Sequence, residues 1–236
     1  NIIFPPSQNA IIRFHGDLTN TYLECQSLGF KKEKYQFGML NFGLTDDQPT
    51  NFKFSSGNYE LNGFIPYNDG ENIELKFTKV KLDDYFQGNV LYKFSKLENF
   101  LLIDGKTYDH SRAPKYEFVQ SDKDLQIEVN ISELKIRSDL TLTDFSGLFY
   151  LSDEFYGDGF GRLNNGPELA IKVKADNDRR IFQASSTNAG EVLLESNIYS
   201  SGYGGEIEIE LVQSPESDSF GSINLRNLWV IGAPFL

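Results

Sequence analysis

Residues 72–94 read NIELKFTKVKLDDYFQGNVLYKF, and the fold turns on them. Apolar side chains alternate with polar ones at Ile73, Leu75 and Phe77, and again at Val90, Tyr92 and Phe94, with a polar break at Asp83 and Asp84. Alternation of period two is what a strand with one buried face writes into a sequence. Two such runs around a polar break predict a pair of antiparallel strands. The pattern returns near the C-terminus in EIEIELVQSPESDSFGSINLRNL. Slid without a gap by 134 residues (207 − 73), Ile73 falls on Ile207, Glu74 on Glu208, Asp84 on Asp218, Phe86 on Phe220 and Leu91 on Leu225.

A second marker has nearly the same spacing. Phe-x-Gly occurs at Phe14-His15-Gly16, Phe86-Gln87-Gly88 and Phe145-Ser146-Gly147, with a degenerate Phe220-Gly221, and Phe14 lies 131 residues before Phe145 (145 − 14). The two offsets predict a duplication whose halves meet within residues 111–123. The expected architecture is all-β with little helix: two tandem antiparallel β-sandwich, jelly-roll-like domains, residues 1–115 and 116–236. Further strands are expected at 10–14, 52–54, 59–65, 125–136, 169–173 and 192–194. Residues 31–34 read as a short helix or wide turn, and 97–104 as a helical turn or buried strand. Turns are expected at Asp46-Asp47-Gln48-Pro49, Asn68-Asp69-Gly70 and Asp104-Gly105, and a Gly-rich loop over 153–166.

Composition narrows the function. A net charge of −12 and a pI near 4.6 oppose a nucleic-acid partner, because phosphate binding needs a basic face. They equally oppose electrostatic docking on anionic lipid. Cys25 is the single cysteine, so no intrachain disulfide forms and a small buried residue is expected there. The longest apolar run, LWVIGAPFL at 228–236, is far too short to span a bilayer, and no basic segment marks a signal peptide.

Glu206-x-Glu208-x-Glu210 is the sharpest catalytic candidate. A strand sets these carboxylates on one face about 6.5–7 Å apart, a separation at which glycosidases place an acid and its partner base or nucleophile. The stretch resembles the catalytic Glu-x-Asp-x-x-Glu or Glu-x-Asp-x-Glu strand of laminarinase-like glycoside hydrolases, with Glu208 in place of the central Asp and a single Trp in the whole chain. That resemblance implies a glycan-active enzyme. The competing reading is a half-exposed strand, Ile in and Glu out, as the charge-mixed Asn72-x-Glu74-x-Lys76 suggests for the first half.

Acidic turns offer hard oxygen ligands for Ca²⁺ at Asp153, Glu154 and Asp158, although none matches a known calcium loop and solvated turns are the default. Gly157-x-Gly159-x-Gly161 lacks the spacing of a dinucleotide site. Aromatic side chains crowd the same region: Tyr150, Phe155, Tyr156 and Phe160, with Tyr199 and Tyr203 in a second Ser/Gly-rich segment. Tyr among Ser, Gly and Asn is the composition of recognition loops. The functional expectation is therefore a non-enzymatic binding or assembly module, extracellular or on a cell or virus surface, presenting these rings to a glycan or protein. The apolar runs at 2–4 and 228–236 either complete the chain's own sheet or pair with a neighbouring copy as a homo-oligomer.

Overall fold

The computed structural model describes residues 11–25, 29–45, 50–66, 73–95, 99–114, 124–176, 179–214 and 217–231. Its strands are β1 (Ile11–Asp17), β2 (Leu23–Cys25), β3 (Phe30–Lys32), β4 (Met39–Thr45), β5 (Thr50–Ser56), β6 (Tyr59–Ile65), β7 (Ile73–Leu82), β8 (Phe86–Phe94) and β9 (Asn99–Asp109). The second half adds β10 (Leu125–Arg137), β11 (Leu140–Leu151), β12 (Phe155–Leu163), β13 (Glu168–Asp176), β14 (Arg179–Ser186), α1 (Ala189–Glu195), β15 (Gly202–Tyr203), β16 (Glu206–Ser214), β17 (Ser217–Arg226) and β18 (Trp229–Val230). Among the described residues, fourteen strands join in one open mixed sheet running from β1 through β4–β14 to β16 and β17, while β2–β3 and β15–β18 form separate two-stranded ribbons.

The all-β expectation holds; two sandwiches are not what the strands form. Residues 115–123 of the expected junction lie outside the described residues. On either side of them β9 and β10 pair in parallel, from Asn99↔Leu125 to Asp109↔Lys135, so the sheet continues across. A parallel pair needs a crossover of a dozen or more residues, which is the room that 110–124 supplies. Within it, Ala113 packs against the Val80, Tyr85 and Phe86 cluster.

Both halves of the apparent repeat form hairpins, β7–β8 and β16–β17, but in different registers. Ile73 faces Phe94, whereas Ile207 faces Leu225, the counterpart of Leu91 (225 − 134). Burial differs too: Ile73 is 41% exposed and Ile207 1%, while Phe86 is 7% exposed and Phe220 65%. The register change moves the second strand's side chains between faces, so Phe86 and Phe220 part company, whereas Ile73 and Ile207 stand on the same face as Phe77 and Ile209 and differ in cover.

Four local expectations are corrected. Residues 192–194 lie in α1, not a strand. The Asn188 side-chain oxygen caps that helix by accepting from Glu191 N–H at 3.3 Å, and its amide donates to the Glu191 carboxylate at 2.7 Å, an N-cap held in place by the side chain it caps. Asp104-Gly105 is interior to β9, where a Cβ on Gly105 would meet Ile131 at 3.1 Å and Phe86 at 3.2 Å; close packing, not a turn, calls for this glycine. The Gly-rich segment from Phe155 to Leu163 is strand β12. Residues 31–34 comprise the end of β3 and a turn.

Two apolar cores lie along the sheet. The larger unites Leu142, Phe145, Phe149, Leu163, Leu169 and Ile207 with Ala189, Val192 and Leu193 of α1. The smaller is built on Val80, Tyr85 and Phe86.

Candidate functional site

Directly opposed residues trace one row across the sheet from edge to edge. It runs Phe14, Phe42, Phe52, Gly63, Phe77, Val90, Ile103, Val129, Gly147, Gly159, Ile171, Ala184, Ile209 and Ile223. No polar side chain interrupts it. Residues opposed across strands stand on the same face, so a single charge-free lane crosses the inner face of the molecule. The glycines are spaces occupied by rings. A Cβ on Gly63 would meet the Phe52 ring at 2.7 Å, one on Gly147 the Phe149 ring at 2.7 Å, and one on Gly159 the Phe145 ring at 3.0 Å.

Over β6–β11 this lane opens into a groove of about 540 Å³. Leu61, Phe77, Val80, Leu82, Val90, Leu101, Ile103, Val129, Ile131, Leu134, Phe86 and Phe145 line it, together with Tyr85 and Tyr108. Its wall is hydrocarbon and aromatic carbon throughout, the composition of a site for an apolar molecule. Six adjacent strands span about 24 Å at the usual inter-strand spacing. Tyr85 and Tyr108 meet edge to face at 6.4 Å near one end of the strands, where the Asp109 N–H also donates to the Tyr85 carbonyl at 2.7 Å.

Strand irregularities at one level shape the groove. The register shifts between Phe77 and Val80 on β7, and between Gln87 and Gly88 on β8 opposite β9. On β11 Asp144 takes a left-handed φ of 51°, and the register shifts again towards β12 between Thr143 and Ser146. Each such bulge bends the strand and re-aims the side chains beyond it. This is how Phe77, an odd position, and Val80 and Leu82, even ones, reach the same groove. Gly88 sits in this crease; a Cβ there would lie 2.4 Å from the Asp104 carbonyl. The Phe-x-Gly motif at 86–88 thus puts a ring in the groove and allows the backbone to approach beside it.

The groove stops where α1 begins. Val192 and Leu193, 3% and 4% exposed, belong to the core of Leu142, Leu163, Leu169 and Ile207, against which Ile171 and Ile209 of the lane pack, and Val129, Leu134 and Phe145 belong to both the groove and this core. In the other direction the ribbon β2–β3 packs on this face, Phe30 meeting Phe54 and Tyr59 edge to face, and the lane ends on β1 with Phe14 54% exposed.

The sequence-derived candidates fall elsewhere. Glu206, Glu208 and Glu210 alternate with buried Ile207 on β16 and stand on the outer face; Glu210 accepts from Gln183 at 2.8 Å and Glu208 lies 3.8 Å from Arg226. Tyr150 and Tyr156 stack at 5.2 Å on that outer face, Phe155 stacks on Phe149 at 5.7 Å beside the larger core, and Phe160 is exposed on β12. Tyr199 and Tyr203 lie near α1 and β15. The six rings therefore occupy three separate places, not one recognition loop. Asp153 and Glu154 are exposed in a bend and Asp158 on β12; among the described residues no three His, Cys, Asp or Glu side chains gather as metal ligands would. Residues 2–4 lie outside the described residues. Trp229 and Val230 of the C-terminal run pair within the chain, with Tyr203 and Gly202.

Neither a family model, a curated protein nor a solved structure matches this chain.

The groove residues were missed because each strand alone reads as an ordinary half-buried strand. The legible signal was the uniformity of the apolar positions in β7 and β8; that no second sheet covers them among the described residues is a tertiary fact.

Proposed function

We propose that the chain is a non-enzymatic binding module whose ligand is an elongated apolar molecule, such as a long acyl chain, held in the groove over β6–β11. The observation that carries this reading is the charge-free lane, opened into a groove of about 540 Å³ whose wall offers no charged side chain. Apolar surface left open in this way attracts hydrocarbon by the same free energy that builds a core, about 25 cal/mol per Å² removed from water. An extended molecule suits it better than a compact one, because the wall crosses six strands. The reading keeps the binding role expected from the sequence but moves the ligand from a glycan on aromatic loops to hydrocarbon on the inner face. The outer placement of Glu206, Glu208 and Glu210, away from any groove wall, supports a non-enzymatic role.

Displacement of a fluorescent long-chain fatty acid tests it. The intact chain is expected to bind the probe, and Val90→Phe or Ile103→Phe, which fill the groove with carbon, to weaken binding at least tenfold while circular dichroism stays unchanged. Unaltered binding in both variants, or no binding by the intact chain, refutes the reading.

A further inference from the structure

The ribbon β15–β18 and the turns around it form a preorganised apolar surface outside the groove. Trp229 is 76% exposed, Ile231 66% and Tyr203 55%, while Val230 at 45% stands on the ribbon's other face and Leu194 and Ile198, at and after the end of α1, are 49% and 60% exposed. The surface is held firmly from beneath. Tyr203 opposes Trp229 and Gly202 opposes Val230; Ile231 N–H donates to the Ser201 carbonyl at 3.1 Å, and Ile198 N–H to the Leu193 carbonyl at 2.9 Å. Leu228 anchors the ribbon on the larger core, and Gly190 lets it approach so closely that a Cβ there would lie 2.5 Å from the Gly202 carbonyl.

Charge is what singles this surface out. In a chain that is 24% charged, neither residues 196–205 nor residues 227–236 contain any Asp, Glu, Lys, Arg or His. Contiguous exposed apolar surface marks an interaction site. A specific protein partner is ordinarily steered and oriented by complementary charges, and these two segments offer none. Trp and Tyr mixed with aliphatic side chains are instead the composition of the boundary between lipid headgroup and hydrocarbon. The −12 net charge repels an anionic leaflet, which leaves a neutral one.

We propose that this ribbon docks on the interface of a neutral, zwitterionic lipid bilayer, with Trp229 and Ile231 inserted at headgroup depth. Among the described residues no helix is long and apolar enough to cross a membrane, so the contact is superficial. The inference does not depend on what the groove binds.

Trp229 is the only tryptophan, so its emission reports on the site directly. Titrating the intact chain with phosphatidylcholine vesicles is expected to shift that emission to the blue, and brominated phosphatidylcholine to quench it. Ile231→Ser and Tyr203→Ser, both at exposed positions, should each lower co-sedimentation with the vesicles several-fold while the thermal midpoint holds. Substituting phosphatidylglycerol should weaken binding, with added salt restoring part of it. Absence of both the shift and co-sedimentation overturns the proposal. So does preference for anionic vesicles. A blue shift that grows with protein concentration in the absence of vesicles also overturns it and assigns the surface to a second copy of the chain.

Discussion

The two ends of the apolar lane share one chemistry and have different covers. Over β11–β16 the inner face carries α1, whose Val192 and Leu193 are packed into Leu142, Leu163, Leu169 and Ile207. Over β6–β10 the ribbon β2–β3 reaches the same face at its β6 border, where the buried Phe30 meets Tyr59 edge to face, and beyond that contact the side chains line a groove. The difference teaches that alternation specifies a face and not its fate. Seven helical residues turn a stretch of lane into core, and their absence leaves a binding surface.

The largest effect should come from cutting into the covered end. Leu193→Ala removes a buried side chain from a filled site and is expected to destabilise by about 3 kcal/mol. Leu101→Ala, made at the groove wall, should cost about 1 kcal/mol, since the space beside it is already open. Urea midpoints at constant m measure both. Equal losses would mean that the groove is packed as tightly as the core, and the comparison would collapse.

Next come two glycines. Gly190→Ala drives a Cβ toward the backbone carbonyl of Gly202 at 2.5 Å, and backbone cannot rotate away as a side chain can, so a loss of about 1–3 kcal/mol is expected. Gly43→Ala on β4, where a Cβ meets nothing within 4 Å, should stay within about 0.5 kcal/mol. The same denaturation series compares them.

The helix cap sharpens the point further. Asn188→Ala removes the acceptor for Glu191 N–H and should cost about 1 kcal/mol. If α1 alone separates core from groove, this variant should also bind more of a fluorescent apolar probe, through fraying of the cover. Unchanged probe binding would show that the cover is held by packing and not by its cap.

The smallest effect concerns pH at the β9 end of the groove. Asp109 accepts from Ser111 Oγ at 2.6 Å and Ser111 N at 3.0 Å, and the Ser111 hydroxyl is the main cause that holds its carboxyl below the usual carboxylate range, with the Arg112 guanidinium assisting. A folded-state pKa below the unfolded one contributes stability above the unfolded value, lost as pH falls through the folded one. Asp109→Asn should therefore lose this contribution at neutral pH, converge with the unsubstituted chain at acid pH, and so flatten the acid limb of the stability profile below about pH 4. An acid limb identical to that of the unsubstituted chain would remove Asp109 from the account.

Much of this protein was readable in its sequence. Alternation at 73–77 and 90–94 determined strands, and the recurrence at 207–225 determined a second hairpin, because side-chain direction in a strand has a fixed period and needs no knowledge of what lies opposite. Tertiary structure decided the rest. Whether Phe86 or Phe220 is buried depends on hairpin register, and whether Ile73 or Ile207 is buried depends on what covers the face, neither of which the gapless repeat encodes. Gly105, Gly147 and Gly159 carry no turn; they are small because a ring occupies the place of their side chain, from another strand at Gly105 and Gly159 and from Phe149 of the same strand at Gly147. The one sheet in place of two sandwiches rests on the parallel pairing of β9 with β10, a contact made through a crossover whose path no periodicity sets. The groove exists because strand irregularities at one level bend six strands together and α1 ends short of them, and only the assembled sheet brings those facts to one place.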